Sequence, residues 1–181
     1  MIDSHKIDYS KLDTLNVSRE TFLELDEFKE MILDENKKIN LISQHTEELA
    51  RDRHIIDCAQ IIDLIDENHL SCTDLGSGSG LPGLVIAIIK KKQKSKMKFF
   101  LYEKSFKKSN FLKKVINKFE LNAEVINQNI FDQKKLNSDL IVARAFKPLP
   151  IILDLVMKNF DDFKDIILFL GKSGKSSIEQ C

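Results

Sequence analysis

The run Thr73–Gly83, TDLGSGSGLPG, holds four of the six glycines in a chain of 181 residues. Asp74, Gly76, Gly78 and Gly80 stand at alternate positions, and a second acid, Glu103, follows Gly83 by twenty residues. Glycine lets the backbone turn with positive φ and lets a ligand approach where a Cβ would collide, so the run reads as a ligand-holding loop. Two phosphate chemistries compete for it. The triphosphate loop G-x-x-x-x-G-K-[ST] fails: Gly174-Lys175-Ser176 needs a glycine where Phe169 stands, and Gly171-Lys172-Ser173 needs one where Ile166 stands. A dinucleotide fingerprint, G-x-G-x-x-G, is met by Gly78, Gly80 and Gly83. Against it, Asp74 at the strand end repels a pyrophosphate, and Pro82 stiffens the turn where backbone donors are wanted.

A third chemistry uses the same details. A ligand with an ammonium and a sulfonium but no phosphate is attracted by Asp74. S-adenosylmethionine is such a ligand: the glycines admit its amino-acid end and ribose, and Glu103 accepts hydrogen bonds from both ribose hydroxyls. The expected cofactor site is therefore Asp74, Gly76, Gly78, Gly80 and Glu103, gathered at the carboxyl ends of adjacent strands.

Such a site needs a parallel sheet beneath it. Short apolar runs at 72–75, 98–102, 124–126, 139–143 and 166–170 predict five strands. Helices are predicted between them at 82–91, 105–119 and 148–160; the second is amphipathic, with Leu112, Val115, Ile116 and Phe119 at i, i+3, i+4 and i+7. This alternation predicts an α/β fold with a parallel sheet covered on both faces. Ahead of it, Ser18 starts a predicted helix over 18–40 that carries Phe22, Leu25, Phe28 and Ile32. A second helix is predicted over 46–67, with Ile55, Ile56, Ala59, Ile62 and Ile65 on one side. The expected organisation is a single domain over 1–181, with an N-terminal helical cap (1–70) and a cofactor-binding α/β core (71–181).

Composition bounds the rest. The formal net charge is zero, with 43% hydrophobic and 31% charged residues, ordinary for a globular domain. Between Lys90 and Lys118, however, lie twelve lysines and a single acid, Glu103. Two readings stand open: a solvated lysine-rich surface, or a face that attracts phosphates. Cys58, Cys72 and Cys181 are far apart, and His45 and His54 share no ligand-like spacing with them, so neither a disulfide framework nor a metal site is expected. The N-terminus lacks an apolar signal region and the run Leu84–Ile89 is too short to cross a membrane, so neither a signal peptide nor a membrane span is expected. The scattered cysteines point to reduced thiols in a cytoplasmic protein, and a monomer is expected.

Beyond the loop, the chain resembles the bacterial 16S ribosomal RNA guanine-N7 methyltransferases, also called glucose-inhibited division protein B. Five stretches carry the resemblance in collinear order: INLIS at 39–43, RHIIDC at 53–58, DLGSGSGLPG at 74–83, LYEKSFKKSNFL at 101–112 and VARAFKPL at 142–149. The resemblance implies a Rossmann-like class I S-adenosylmethionine-dependent methyltransferase sheet acting on 16S rRNA or the small ribosomal subunit. It adds Leu81, Ile130 and Phe131 to the cofactor contacts, the last two beside the adenine, and makes Arg144 an active-site arginine that also touches the cofactor. It places Arg53, His54 and Asp57 at the substrate entrance, His54 and Asp57 sharing one helix face, with Lys107 and Lys108 as RNA contacts.

The resemblance also implies a further helix and closing strands after the fifth strand, which this sequence lacks; strand five is then expected as an exposed apolar edge. Two other functions stay open on the residues alone: a methyltransferase with a different substrate, and a non-catalytic RNA- or ribosome-binding remnant.

Overall fold

The computed structural model describes residues 17–171, and for 51–53 the backbone alone. The first helix, α1 (Arg19–Asn36), starts where Ser18 Oγ accepts the Thr21 N–H at 3.2 Å. It buries Phe22, Leu25, Phe28 and Ile32, the residues its periodicity predicts. At its end Asn36 Oδ1 accepts the N–H groups of Leu41 (2.7 Å) and Ile42 (3.0 Å), turning the chain back.

The continuous helix predicted over 46–67 does not form. In its place stand a 3₁₀ turn (Gln44–Thr46), a π-helix (Arg51–Ile56), the short helix α2 (Asp57–Ala59) and a second 3₁₀ turn (Ile62–Leu64). The reason is the width of the apolar stripe. Ile55, Ile56, Cys58, Ala59, Ile61, Ile62 and Ile65 are all buried, more than one straight helical face can present. Changing the winding rotates successive turns so that each inserts into the core. The isoleucines, stiff at χ1, hold the α-helix only weakly against that demand.

The sheet is wholly parallel, in the order β3-β2-β1-β4-β5. Its strands are β1 (Ser71–Leu75), β2 (Lys98–Tyr102), β3 (Ala123–Ile126), β4 (Leu136–Arg144) and β5 (Phe160–Phe169). Between them run α3 (Gly83–Lys92), α4 (Phe106–Phe119) and α5 (Leu149–Asn159). Strand alternation divides the core. Phe99, Leu101, Leu140 and Val142 join α1, α3 and α4 on one face. Tyr102, Ile141 and Ala143 join Ile152, Leu155 and Val156 of α5 on the other.

Strands β4 and β5 are longer than predicted. Their first halves, with Asn137, Asp139, Asp161, Asp162, Lys164 and Asp165, are polar, yet the ladder pairs Asn137 with Asp162 and Leu140 with Asp165. Asp139 closes the near end of the sheet, accepting from Leu70 N–H (2.8 Å), Ser71 N–H (3.1 Å) and Lys164 Nζ (2.7 Å). Strand β5 lies at an edge of the described sheet, and Ile166, Ile167, Leu168 and Phe169 are half-buried there.

The lysine-rich segment divides. Glu24, Glu27 and Glu35 of α1 pair with Lys92 (2.7 Å), Lys118 (2.9 Å) and Lys114 (3.5 Å), and Glu124 pairs with Lys98 (3.1 Å). These exposed pairs add little stability, but the three from α1 neutralise the flank of α3 and α4 that faces it. The first turn of α4 keeps its charge.

Candidate active site

The glycine loop is shaped from behind by Asp74. Its Oδ2 accepts the Ser77 hydroxyl (2.8 Å) and the Gly83 N–H (3.1 Å), so one carboxylate oxygen ties the loop to the first residue of α3. Pro82, expected inside the helix, precedes it as the N-cap; Asp74 satisfies the first helical N–H instead. A Cβ on Gly83 would lie 2.6 Å from Asp74 Oδ2, which is why this approach requires glycine.

Asp74 is 1% exposed, and its Oδ1 has no hydrogen-bond partner among the described residues. Burial pushes its pKa up to about 7, helped by the charge of Glu103 and opposed by the Ser77 and Gly83 hydrogen bonds. Because the folded value exceeds the ordinary 3.8, the native state binds more protons than the unfolded chain between those values. The stabilisation is fully present below about pH 4 and is lost as pH rises through about 7, by up to about 4 kcal/mol. Asp74→Asn, which cannot ionise, should therefore show a flatter decline in thermal midpoint between pH 5 and 8.5 than the unmodified chain. Equal slopes in the two proteins would refute the buried-carboxyl account.

Glu103, just past β2, is fixed from both ends. Its Oε2 accepts the Gly78 N–H (2.9 Å) and its Oε1 the N–H of Ser105, the N-cap of α4 (2.7 Å). Each oxygen keeps accepting capacity for a hydroxyl. Gly76, with φ +68°, lies under the ring of Phe146, where an added Cβ would sit 2.3 Å from Cδ2. Phe146 stacks on Phe131 with centroids 5.9 Å apart and planes 27° from parallel.

Gly76, Glu103, Ile130, Phe131 and Phe146 line one cavity of about 470 Å³ at the carboxyl ends of β1, β2 and β4, with Lys104, Lys108 and Lys147 also on its wall. That volume suits a nucleoside-sized ligand. A larger depression of about 960 Å³ lies at the opposite end of β1 and β2, around Leu70, Lys90 and Asp165, away from the loop.

Of the residues singled out from the sequence, Gly76, Glu103, Ile130, Phe131 and Lys108 share the cavity wall. Asp74, Gly78, Gly80 and Leu81 do not line it. Asp74 lies beneath the loop, Gly78 and Gly80 form its turns, and Leu81 is buried in the main apolar cluster. Lys107 is exposed on the first turn of α4.

Arg144, the last residue of β4, meets the N-terminal segment. Its Nη1 donates to Cys58 Sγ (3.3 Å) and the His54 carbonyl (3.4 Å), and its Nη2 lies 3.8 Å from Asp57 Oδ2. The structure thus brings Arg144, His54 and Asp57 together from distant parts of the chain. His54 Nε2 hydrogen-bonds Thr46 Oγ1 (2.9 Å), so the ring is turned to its own segment. The side chain of Arg53 lies outside the described residues. Sequence reasoning gave no role to Cys58, Ser77 or Phe146. Burial holds the Cys58 thiol at about 12 despite the nearby guanidinium, so it accepts from Arg144 as a neutral group.

The amino-acid sequence matches known proteins along nearly the whole chain. The profile of the family described as "rRNA small subunit methyltransferase G" matches residues 22–181. The chain belongs to that family. A ribosomal RNA small subunit methyltransferase G from Pelagibacter ubique is 52% identical over 174 residues, covering 95% of this chain and 82% of the relative. One from Rickettsia africae is 34% identical over 159 residues, covering 88% and 79%. In fold, the chain is similar to a SAM-dependent O-methyltransferase from Thermotoga maritima, with a TM-score of 0.51 and 17% identity, covering 77% of this chain and 55% of that one. The protein is thus an S-adenosylmethionine-dependent rRNA methyltransferase with a Rossmann-like class I sheet. The residues present fit that cofactor: a glycine floor at Gly76, a fixed carboxylate at Glu103, and an aromatic wall at Phe131.

Proposed function

We propose that this enzyme methylates guanine N7 in 16S ribosomal RNA, in the cytoplasm and as a monomer. The observation that carries the reading is the meeting of Gly76, Glu103 and Phe131 in one cavity, with Arg144 one residue before its wall at Ala145. Glu103 takes the ribose hydroxyls, Ile130 and Phe131 flank the adenine, and Gly76 admits the amino-acid end. Asp74, Gly78, Gly80 and Leu81 hold the loop in the shape that admits it.

S-adenosylmethionine supplies an electrophilic methyl group on a sulfonium. Guanine N7 carries an in-plane lone pair, so no base has to remove a proton before attack. Gly76, Glu103, Ile130 and Phe131 would hold the cofactor so that its methyl carbon passes to N7, the bonding pair staying on a neutral thioether and the positive charge on the guanine ring. The protein's contribution is position, which reaches effective molarities of about 10⁵–10⁸ M in well-oriented reactions. Arg144 orients the base or its phosphate through a planar fork of donors. Cys58, the His54 carbonyl and Asp57 hold that fork. Their face, together with Arg53, forms the substrate entrance, and Lys107 and Lys108 take backbone phosphates.

The test is transfer of labelled methyl from S-adenosylmethionine to 16S RNA and to 30S particles, followed by borohydride and aniline, which cleave RNA at 7-methylguanosine. Label in the RNA with strand scission at a single guanosine is the expected result. Label without scission would overturn the N7 assignment. No label from folded protein that binds S-adenosylhomocysteine would overturn the RNA substrate.

A further inference from the structure

Eleven of the twelve phenylalanines are buried or half-buried. The twelfth, Phe106, is 68% exposed and belongs to neither apolar cluster. A lone exposed apolar residue ordinarily needs no explanation. Phe106 differs in its surroundings. It opens α4, immediately after the N-cap Ser105, and Lys104, Lys107 and Lys108 stand within two residues of it. Lys104 and Lys108 reach the wall of the cofactor cavity, so the turn forms part of that cavity's rim.

Among the described residues, the charges around it are unpaired. Lys92, Lys98, Lys114 and Lys118 are matched by glutamates, whereas Lys104, Lys107 and Lys108 lie in no described ion pair. Glu103, the one acid between Lys90 and Lys118, is 9% exposed and faces inward, accepting the Gly78 and Ser105 N–H groups. The result is an aromatic face set among ammonium groups, with the positive end of a fourteen-residue helix behind it. Protein partners favour apolar surroundings for such an anchor. A polyanion carrying flat rings is complementary to both features at once.

We infer that Phe106 is a stacking platform for an unpaired RNA base beside the target guanine, with Lys104, Lys107 and Lys108 holding the phosphates on either side. This rests on the rRNA reading of the site and adds to it a determinant of substrate shape. Phe106 accepts a splayed, single-stranded nucleotide and not the edge of a duplex, whose bases are stacked on one another. Phe106 is a positioning residue: it touches neither the methyl donor nor N7.

The experiment compares Phe106→Ala, Phe106→Leu and Phe106→Trp in steady-state methyl transfer to 16S RNA, with calorimetry of S-adenosylhomocysteine alongside. Alanine should raise KM for RNA by about tenfold or more, the effect of removing one stacked base from its platform, with cofactor affinity unchanged. Tryptophan should restore KM, and leucine, apolar but unable to stack, should not. Leucine performing as well as tryptophan, or alanine leaving KM unaltered in an enzyme whose unmodified form methylates RNA, overturns the platform. An unmodified enzyme that binds cofactor and ignores RNA overturns the rRNA reading itself, so the two failures are separable. Lys107→Ala/Lys108→Ala should reduce the slope of log affinity against log salt by about 1–2, at most about one unit for each phosphate no longer neutralised.

Discussion

Arg144→Ala is expected to lower kcat for methyl transfer by about 10²–10³-fold, the range for removing one pre-positioned donor from a reacting site. Binding of S-adenosylhomocysteine should weaken far less, because Glu103 and the glycine loop remain. Arg144→Lys should not rescue the rate. Lysine keeps a charge but loses the planar fork whose Nη1 reaches Cys58 Sγ and the His54 carbonyl while Nη2 faces Asp57 Oδ2. Asp57→Asn gives the contrast. The ion pair is 3.8 Å long and its carboxylate side chain 46% exposed, so its loss should cost less than about tenfold. Single-turnover rates on 16S RNA with all three variants check this order. An Arg144→Ala enzyme with unchanged kcat would remove the arginine from the reaction.

The second large effect is expected at Gly76. Gly76→Val places a β-branched residue at φ +68°, with its Cβ 2.3 Å from the Phe146 ring. Such residues are outliers in left-handed backbone, and strain with overpacking costs about 2–3 kcal/mol. The added methyls also occupy the floor of the cavity. S-adenosylhomocysteine affinity should fall by at least about 100-fold, since each 1.4 kcal/mol of binding energy forfeited is about a factor of ten. Calorimetry gives the affinity, and urea unfolding the stability. A double change, Gly76→Val with Phe146→Ala, should recover part of the stability by clearing the ring but little of the binding. Recovery of both would mean that Phe146, not the cavity floor, governs ligand entry.

Much of this site is legible in the residue order because its parts are local. The glycine run, the strand ahead of it and Glu103 after β2 each stand beside the backbone they act on, and a parallel sheet carries them to one rim. Compact apolar strands alternating with helices announced that sheet, and β2 matches its expected bounds, Lys98–Tyr102. What escaped depended on approaches across the chain. Nothing near Asp74 indicates that it satisfies Gly83 N–H and lies below the loop. Nothing near Phe146 tells that it covers Gly76. The polar first halves of β4 and β5 pair with one another, so hydrophobicity could not mark their starts. The broken segment over 44–65 misled for a related reason: its isoleucines satisfy a helical period, while the core beneath demands more of them than one helical face provides.

The grip on Arg144 has a consequence for biosynthesis. Cys58, which accepts from its guanidinium, leaves the translating ribosome 86 residues before the arginine itself. The strand that delivers it, β4, lies between β1 and β5, so the nascent chain can lay down β1, β2 and β3 while the middle of the sheet still awaits its neighbour. On the role proposed for Arg144, a partly translated polypeptide carries the glycine loop and Glu103 before it carries the group that aligns a nucleobase. Completing that grip on Arg144 requires a later-made element, β4, to close on a segment that emerged well before it.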